Sequence, residues 1–131
     1  MKGAVLNYGS VQILQADLDR PEHQQAVLEL VNNYAMDPMG NGKPLPERVK
    51  NELIPGLRKH PATLIFLAYQ KSRAVGIAVC FYGFSTFAAK PLINIHDLAV
   101  LPDCRGQGIG RILLEAVERK AQASGCCKVT L

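Results

Sequence analysis

The residues whose types and spacing could do chemistry fall in one stretch. Asn94-Ile95-His96-Asp97-Leu98-Ala99-Val100 leads through Leu101-Pro102-Asp103-Cys104 into Arg105-Gly106-Gln107-Gly108-Ile109-Gly110-Arg111. The first part reads as a strand, Leu101-Pro102-Asp103 as a sharp turn, and the glycine-rich part as a loop opening a helix. The first four N–H groups of a helix have no internal partner, and the macrodipole adds partial positive charge there. Glycines let an anion approach the backbone, so such a junction is a phosphate cradle. Arg105 and Arg111 flank it with fixed positive charge. On the strand, His96 is of the one side-chain type that ordinarily changes charge near neutrality and so suits proton transfer, whereas Asn94 cannot act as a base. Asp97 suits a cationic amine or an ion pair with an arginine. A period of two places Asn94, His96 and Leu98 on one face, with Ile93, Ile95, Asp97 and Ala99 on the other.

The cradle implies a cofactor carrying a pyrophosphate, and the glycine spacing narrows the choice. A dinucleotide fingerprint needs G-x-G-x-x-G; Gly106 and Gly108 fit, but Arg111 stands at the third glycine. No window supplies the G-x-x-x-x-G-K-[ST] of a P-loop. What is present is Arg105-x-x-Gly108-x-Gly110, preceded by Leu98-x-Val100-x-Pro102 and followed by Leu113-Leu114. This block resembles the acetyl-CoA-binding motif of the GNAT superfamily of N-acetyltransferases. The likeness is specific over Leu92 to Leu114 and compatible in element order from Val11 to Leu131.

The resemblance implies an α/β (α+β) fold with a mixed, mostly antiparallel central sheet flanked by helices on both faces. It also implies acetyl transfer from acetyl-CoA, without a metal, to a primary amine of a small molecule, an amino acid derivative or a protein, by direct attack in a ternary complex. The main chain at Leu98, Ala99 and Val100 would pair with the pantetheine arm. Arg105, Gly106, Gln107, Gly108, Ile109, Gly110 and Arg111 would hold the diphosphate. Asn94 and His96 stand where many members carry a glutamate base, which makes His96 the candidate base here. A non-catalytic acyl-CoA-binding or interaction module is the alternative. The family continues past its fifth strand with a helix and a hairpin, so the chain reads as C-terminally incomplete, and its last strand as frayed or docked in a homodimer. The Phe84-Ser85-Thr86-Phe87 stretch faintly resembles members that acetylate diamines or amino acid analogues.

Composition sets the wider frame. At 131 residues the chain is expected to be one domain. Apolar residues make up 48% and charged ones 20%, ordinary globular usage. No apolar run approaches the roughly 20 residues of a membrane span, and a cytoplasmic location is expected. Cys80, Cys104, Cys126 and Cys127 lack zinc-site spacing and read as reduced thiols. The net charge of +4 suits a phosphorylated cofactor. Its scattered cations and few aromatics argue against nucleic acid.

Other elements must position the cradle. Val11–Ala16 reads as a first strand, and Pro21 to about Ala35 as a helix burying Ala26, Val27, Leu30, Val31 and Tyr34. Asp37–Pro44 reads as a mobile loop. A second helix is expected from Pro46 to Leu53, with Val49 and Leu53 on one side, kinked or stopped at Pro55-Gly56 before a last turn at Leu57-Arg58-Lys59. By the resemblance, this loop and helix line the acceptor cleft. Thr63–Tyr69 and Ala74–Phe81 form an apolar hairpin, and Tyr82–Pro91 a long aromatic-rich connection whose rings cap the core. Ile109, Ile112, Leu113, Ala116, Val117 and Ala121 trace the buried stripe of the cradle helix, with Glu115 and Arg119 paired outside. Gly125 ends that helix, and Lys128–Leu131 begins the last strand.

Overall fold

The computed structural model describes residues 5–131. Its centre is a sheet of Val5–Tyr8 (β1), Val11–Gln15 (β2), Thr63–Gln70 (β3), Arg73–Ser85 (β4), Lys90–Val100 (β5) and Val129–Thr130 (β6), hydrogen-bonded in chain order. Pairing is antiparallel from β1 to β5, and β6 joins β5 in parallel. Helices Pro21–Met36 (α1) and Glu47–Lys59 (α2) cover one face and Ile109–Ala123 (α3) the other. This is the mixed, mostly antiparallel α/β arrangement expected from the sequence.

The central strands are apolar throughout because each of their faces meets a different layer. Leu64, Phe66 and Ala68 pack toward α3, while Ile65 and Leu67 pack toward α1 and α2. The expected stripe of α3 is buried at Ile109, Leu113, Ala116, Val117 and Ala121, with Ile112 at its border. Gly76 on β4 permits this fit, since a Cβ there would stand 3.1 Å from Leu113 Cδ1 and 3.2 Å from Ile109 Cγ2. Gly125, at φ +72°, terminates α3 as its position suggested.

Several local expectations are corrected. β1 precedes the expected first strand and pairs with it as a half-exposed edge strand of only four residues, too short a run to show a period. α2 runs through Pro55. Pro55 and Asn51, whose carbonyl loses its donor, are both exposed, so water can serve that carbonyl. The connection at Tyr82–Pro91 is largely strand, because β4 and β5 stay paired out to Ser85 and Lys90. Phe84 and Phe87 stand exposed at its tip and cap nothing. The expected mobile loop after α1 is a tied turn, in which Gly40 N–H donates to Asp37 O at 2.8 Å, Asn41 N–H to Ala35 O at 3.0 Å, and Leu45 N–H to Asn32 Oδ1 at 2.8 Å. Glu115 pairs with Arg111, at 3.8 Å, rather than with Arg119.

The entry to α1 holds the one buried charged-type side chain among the described residues. His23 is 6% exposed, and its Nδ1 accepts the Asp17 N–H at 2.8 Å. Burial first, and then Arg20 nearby, lowers its pKa below the ordinary 6.5. A depressed histidine stabilises the fold fully above its unfolded value, and that contribution is lost as pH falls below about 6.5, because the unfolded chain takes up the proton first. Thermal melts between about pH 7.5 and 5.5, above the carboxylate range, will show a lower midpoint at the acid end. His23→Gln, which retains an acceptor, will flatten that dependence; an equal slope in the variant would contradict the assignment.

Candidate active site

The cradle is built from the junction of β5 and α3. Leu101 N–H donates to Val75 O at 2.9 Å, and Pro102–Cys104 forms one turn of 3₁₀ helix with Cys104 buried beneath it. Arg73 grips Asp103 at 2.8 and 3.3 Å and holds its carboxyl below the usual range. Gln70 on β3 donates to Gln107 Oε1 at 2.8 Å, pinning the loop to the sheet. Gly106 and Gly108 take φ of +84° and +80°, which turns the chain into the first turn of α3. Among the described residues, none of the five main-chain N–H groups from Gln107 to Arg111 donates to a carbonyl. A Cβ at Gly106, Gly108 or Gly110 would meet nothing within 4 Å, so open space lies over these donors.

The two arginines expected to flank the cradle play different parts. Arg105 reaches away from it, with Nη2 at 2.7 Å from Asp37 Oδ2 and Nε donating to Val100 O at 3.1 Å. The Asp37 side chain is only 8% exposed, and the Met39 N–H together with Arg105 depresses its pKa. Arg105 is therefore a strut joining the end of β5 to the turn after α1, with its charge answered locally. Arg111 is the more exposed cation, 82% accessible and only loosely paired with Glu115 at 3.8 Å.

On β5 the strict alternation expected from the sequence is broken. Asn94 pairs with Phe81 and Ile95 with Cys80, but Val79 lies opposite Asp97, so one residue at His96 is extra. This bulge reverses the phase of the strand. Ile93 and Ile95 face α3, and beyond the bulge Leu98 and Val100 do so as well. Ala99 faces α1 and α2, as does Asp97 opposite Val79. Leu98 thus parts from His96, and Asp97 joins it. Asn94 is engaged elsewhere, since its Nδ2 donates to Thr130 Oγ1 at 2.8 Å and fastens β6 to β5. That parallel pairing covers only Ile93 and Asn94. From Ile95 to Val100 the outer edge of β5 has no strand partner among the described residues, and it points toward the cradle.

His96 is exposed, and its ring makes no side-chain hydrogen bond among the described residues. Its ring stands edge-on to Phe81, centroids 5.8 Å apart, and Phe81 in turn meets His60 at 5.2 Å. These three rings, with Glu52, Leu53, Gly56 and Leu57 of α2, line an open groove of about 520 Å³. The sequence reading placed the helix carrying Leu53 at an acceptor cleft but did not single out His60, Phe81 or Leu57 as site residues. Their signal was the helical spacing from Glu52 to His60, which became visible only once α2 continued through Pro55. Among the described residues no group of three or more metal-ligating side chains occurs, and no helix is long and apolar enough to cross a membrane.

The site is thus a strand unpaired along one edge and bulged beside a histidine, ending at a helix start with free main-chain donors. Residues 26–131 match the acetyltransferase (GNAT) family, and the chain belongs to it. An uncharacterized N-acetyltransferase of Archaeoglobus fulgidus is 42% identical over 52 residues, which is 39% of this chain and 35% of that protein. A ribosomal-protein-alanine N-acetyltransferase from Brucella melitensis biovar Abortus superposes with a TM-score of 0.75 at 19% identity, covering 92% of this chain and 78% of that one. An aminoglycoside acetyltransferase from an uncultured soil metagenomic sample, in complex with trehalose, gives 0.76 at 21% identity, covering 92% and 75%. At these identities the two structures establish the fold.

The backbone of the cradle can be probed without ligand. Gly108→Ala places a Cβ at positive φ and will destabilise by about 1 kcal/mol. Gly110→Ala, in the first turn of α3 with open space around it, will leave the midpoint unchanged or raise it. Thermal melts of the two variants check the contrast; equal losses would place the strain elsewhere.

Proposed function

We propose that this protein transfers an acetyl group from acetyl-CoA to a primary amine by direct attack in a ternary complex. The observation that carries this reading is the run of five unpartnered main-chain donors at the start of α3, continuous with the unpaired edge of β5. Acetyl-CoA supplies an activated acyl group as its thioester; this chain's own residues do the rest. The amides from Gln107 to Arg111 bind the diphosphate, aided by the dipole of α3 and the exposed Arg111. The edge of β5 at Leu98, Ala99 and Val100 takes the pantetheine amides as an added strand. Main-chain N–H groups around Val100 stabilise negative charge developing on the thioester oxygen.

His96 holds the remaining task, which is to remove the proton of an amine that is mostly charged near neutral pH. Its exposure, its lack of a hydrogen-bond partner and its place at the bulge support this role. Asn94, bound to Thr130, serves to set the mouth between β5 and β6. The acceptor class is a small amine, an amino acid derivative or a protein amine.

Mass spectrometry of an amine panel incubated with acetyl-CoA, together with amide-resonance shifts at Gln107 to Arg111 on titration, tests the whole reading. Unmoved resonances at saturating acetyl-CoA would end it. His96→Ala will lower kcat/KM by roughly 10²- to 10⁴-fold, the range of a positioned base, with acetyl-CoA affinity little changed. Gly110→Leu will weaken acetyl-CoA binding at an unchanged melting midpoint, because its side chain enters the cradle rather than the core.

A further inference from the structure

The groove beside His96 carries information about the acceptor. Its far wall is the face of α2 that presents Glu52, Leu53, Gly56 and Leu57, continued by His60, and its floor is Phe81. We propose that this groove receives the apolar, ring-bearing body of the acceptor. The protein would then acetylate primary amines with an aromatic or bulky apolar stem in preference to aliphatic polyamines. This inference rests on the acetyl-transfer reading above.

Three observations carry it. First, the rings form a ladder from the end of α2 to the bulge. His60 meets Phe81 with planes at 81°, and Phe81 meets His96 at 71°, the edge-to-face geometry that a further ring can extend. Second, the space is of small-molecule size, about 520 Å³, within the roughly 300–1,000 Å³ of ligand sites. Leucines supply the side walls.

Third, the charge is distributed for one amine and no more. The carboxylate lining the groove, Glu52, is already bonded to Arg48 at 2.7 Å. A second ammonium carried into the groove would lose water without gaining a free counter-charge. At the other end, the bulge turns Asp97 onto the same face as His96, and Asp97 has no ion-pair partner among the described residues. Negative charge therefore waits where the reacting amine must stand, and the wall where its tail would lie is leucine and ring surface whose one carboxylate is already paired. The ammonium gives one proton to His96 and on to solvent, the new bond joins the amine nitrogen to the acetyl carbon, the carbon–sulfur bond breaks, and the second proton leaving the nitrogen goes to the departing sulfur, so that coenzyme A leaves as the thiol.

Gly56 provides the test. It lies four residues from both Glu52 and His60, on the same helical face, and a Cβ there would meet nothing within 4 Å. Gly56→Leu fills the groove without displacing packed atoms, and replacing a helix-interior glycine favours the helix. With 2-phenylethylamine and tryptamine set against putrescine and spermidine, the wild type is expected to show a higher kcat/KM for the aryl amines. Gly56→Leu is expected to raise their KM at least tenfold, with the acetyl-CoA-induced thermal shift and the melting midpoint maintained. Preference for spermidine, no acetylation of aryl amines by a protein that binds acetyl-CoA, or an unchanged aryl-amine KM in Gly56→Leu overturns this inference alone. No thermal shift of the wild type with acetyl-CoA overturns the acetyl-transfer reading and this one with it.

Discussion

The close seating of α3 on the sheet at Gly76 is the constraint on which the site depends. Ile109 and Leu113 of its first turns occupy the space that any side chain at position 76 would claim. The cross-strand partner of Gly76 is Val100, the last residue of β5. One contact therefore fixes the start of the cradle helix against the end of the strand that feeds it, and it does so with two fully buried side chains. Burial of each such aliphatic side chain contributes about 1.5–3 kcal/mol, enough to hold the loop's left-handed glycines in place. The free amides are consequently presented by packed elements rather than by a loose segment, which is what preorganised anion recognition requires.

Around this anchor, β5 divides its duties by direction. Its outer edge offers main chain, its α3 face offers core, and its α1–α2 face offers His96 and Asp97. The bulge makes that division possible, since an uninterrupted strand would have pointed Asp97 toward α3 and Leu98 toward the groove. Arg105 adds a tie across the top. By holding Asp37 and the Val100 carbonyl together, it couples the turn after α1 to the strand end.

Much of this was legible in the sequence, and the rest was hidden for definable reasons. The strand, turn, loop and α3 could be read because glycine, proline and an apolar stripe each carry a local conformational meaning. The continuity of α2 could not, because the rule that proline breaks a helix takes no account of an exposed position where water serves the orphaned carbonyl. The bulge at His96 has no residue signature, since it depends on the register of β4. The partner of Arg105 lies 68 positions away in the chain, beyond the reach of any spacing argument. The groove followed the same logic, because Gly56 and Leu57 line it together with Glu52 and Leu53 only when α2 continues past Pro55. β1 was missed for the weakest of signals, a short edge strand that is only half-buried.

The extra residue in β5 also has a consequence for how such a protein can diverge. A point substitution changes what a position displays but leaves its side of the sheet untouched, and loss of the extra residue alone would restore regular alternation with Asp97 still opposite Val79. Leu98 and Val100 would change sides only if the pairing of β5 with β4 slipped by one residue, which would turn both outward together and strip two side chains from the α3-side core. The assignment of positions to the helix-packed side and the open side is thereby insulated from ordinary mutational drift, while the residues on the open side stay free to vary.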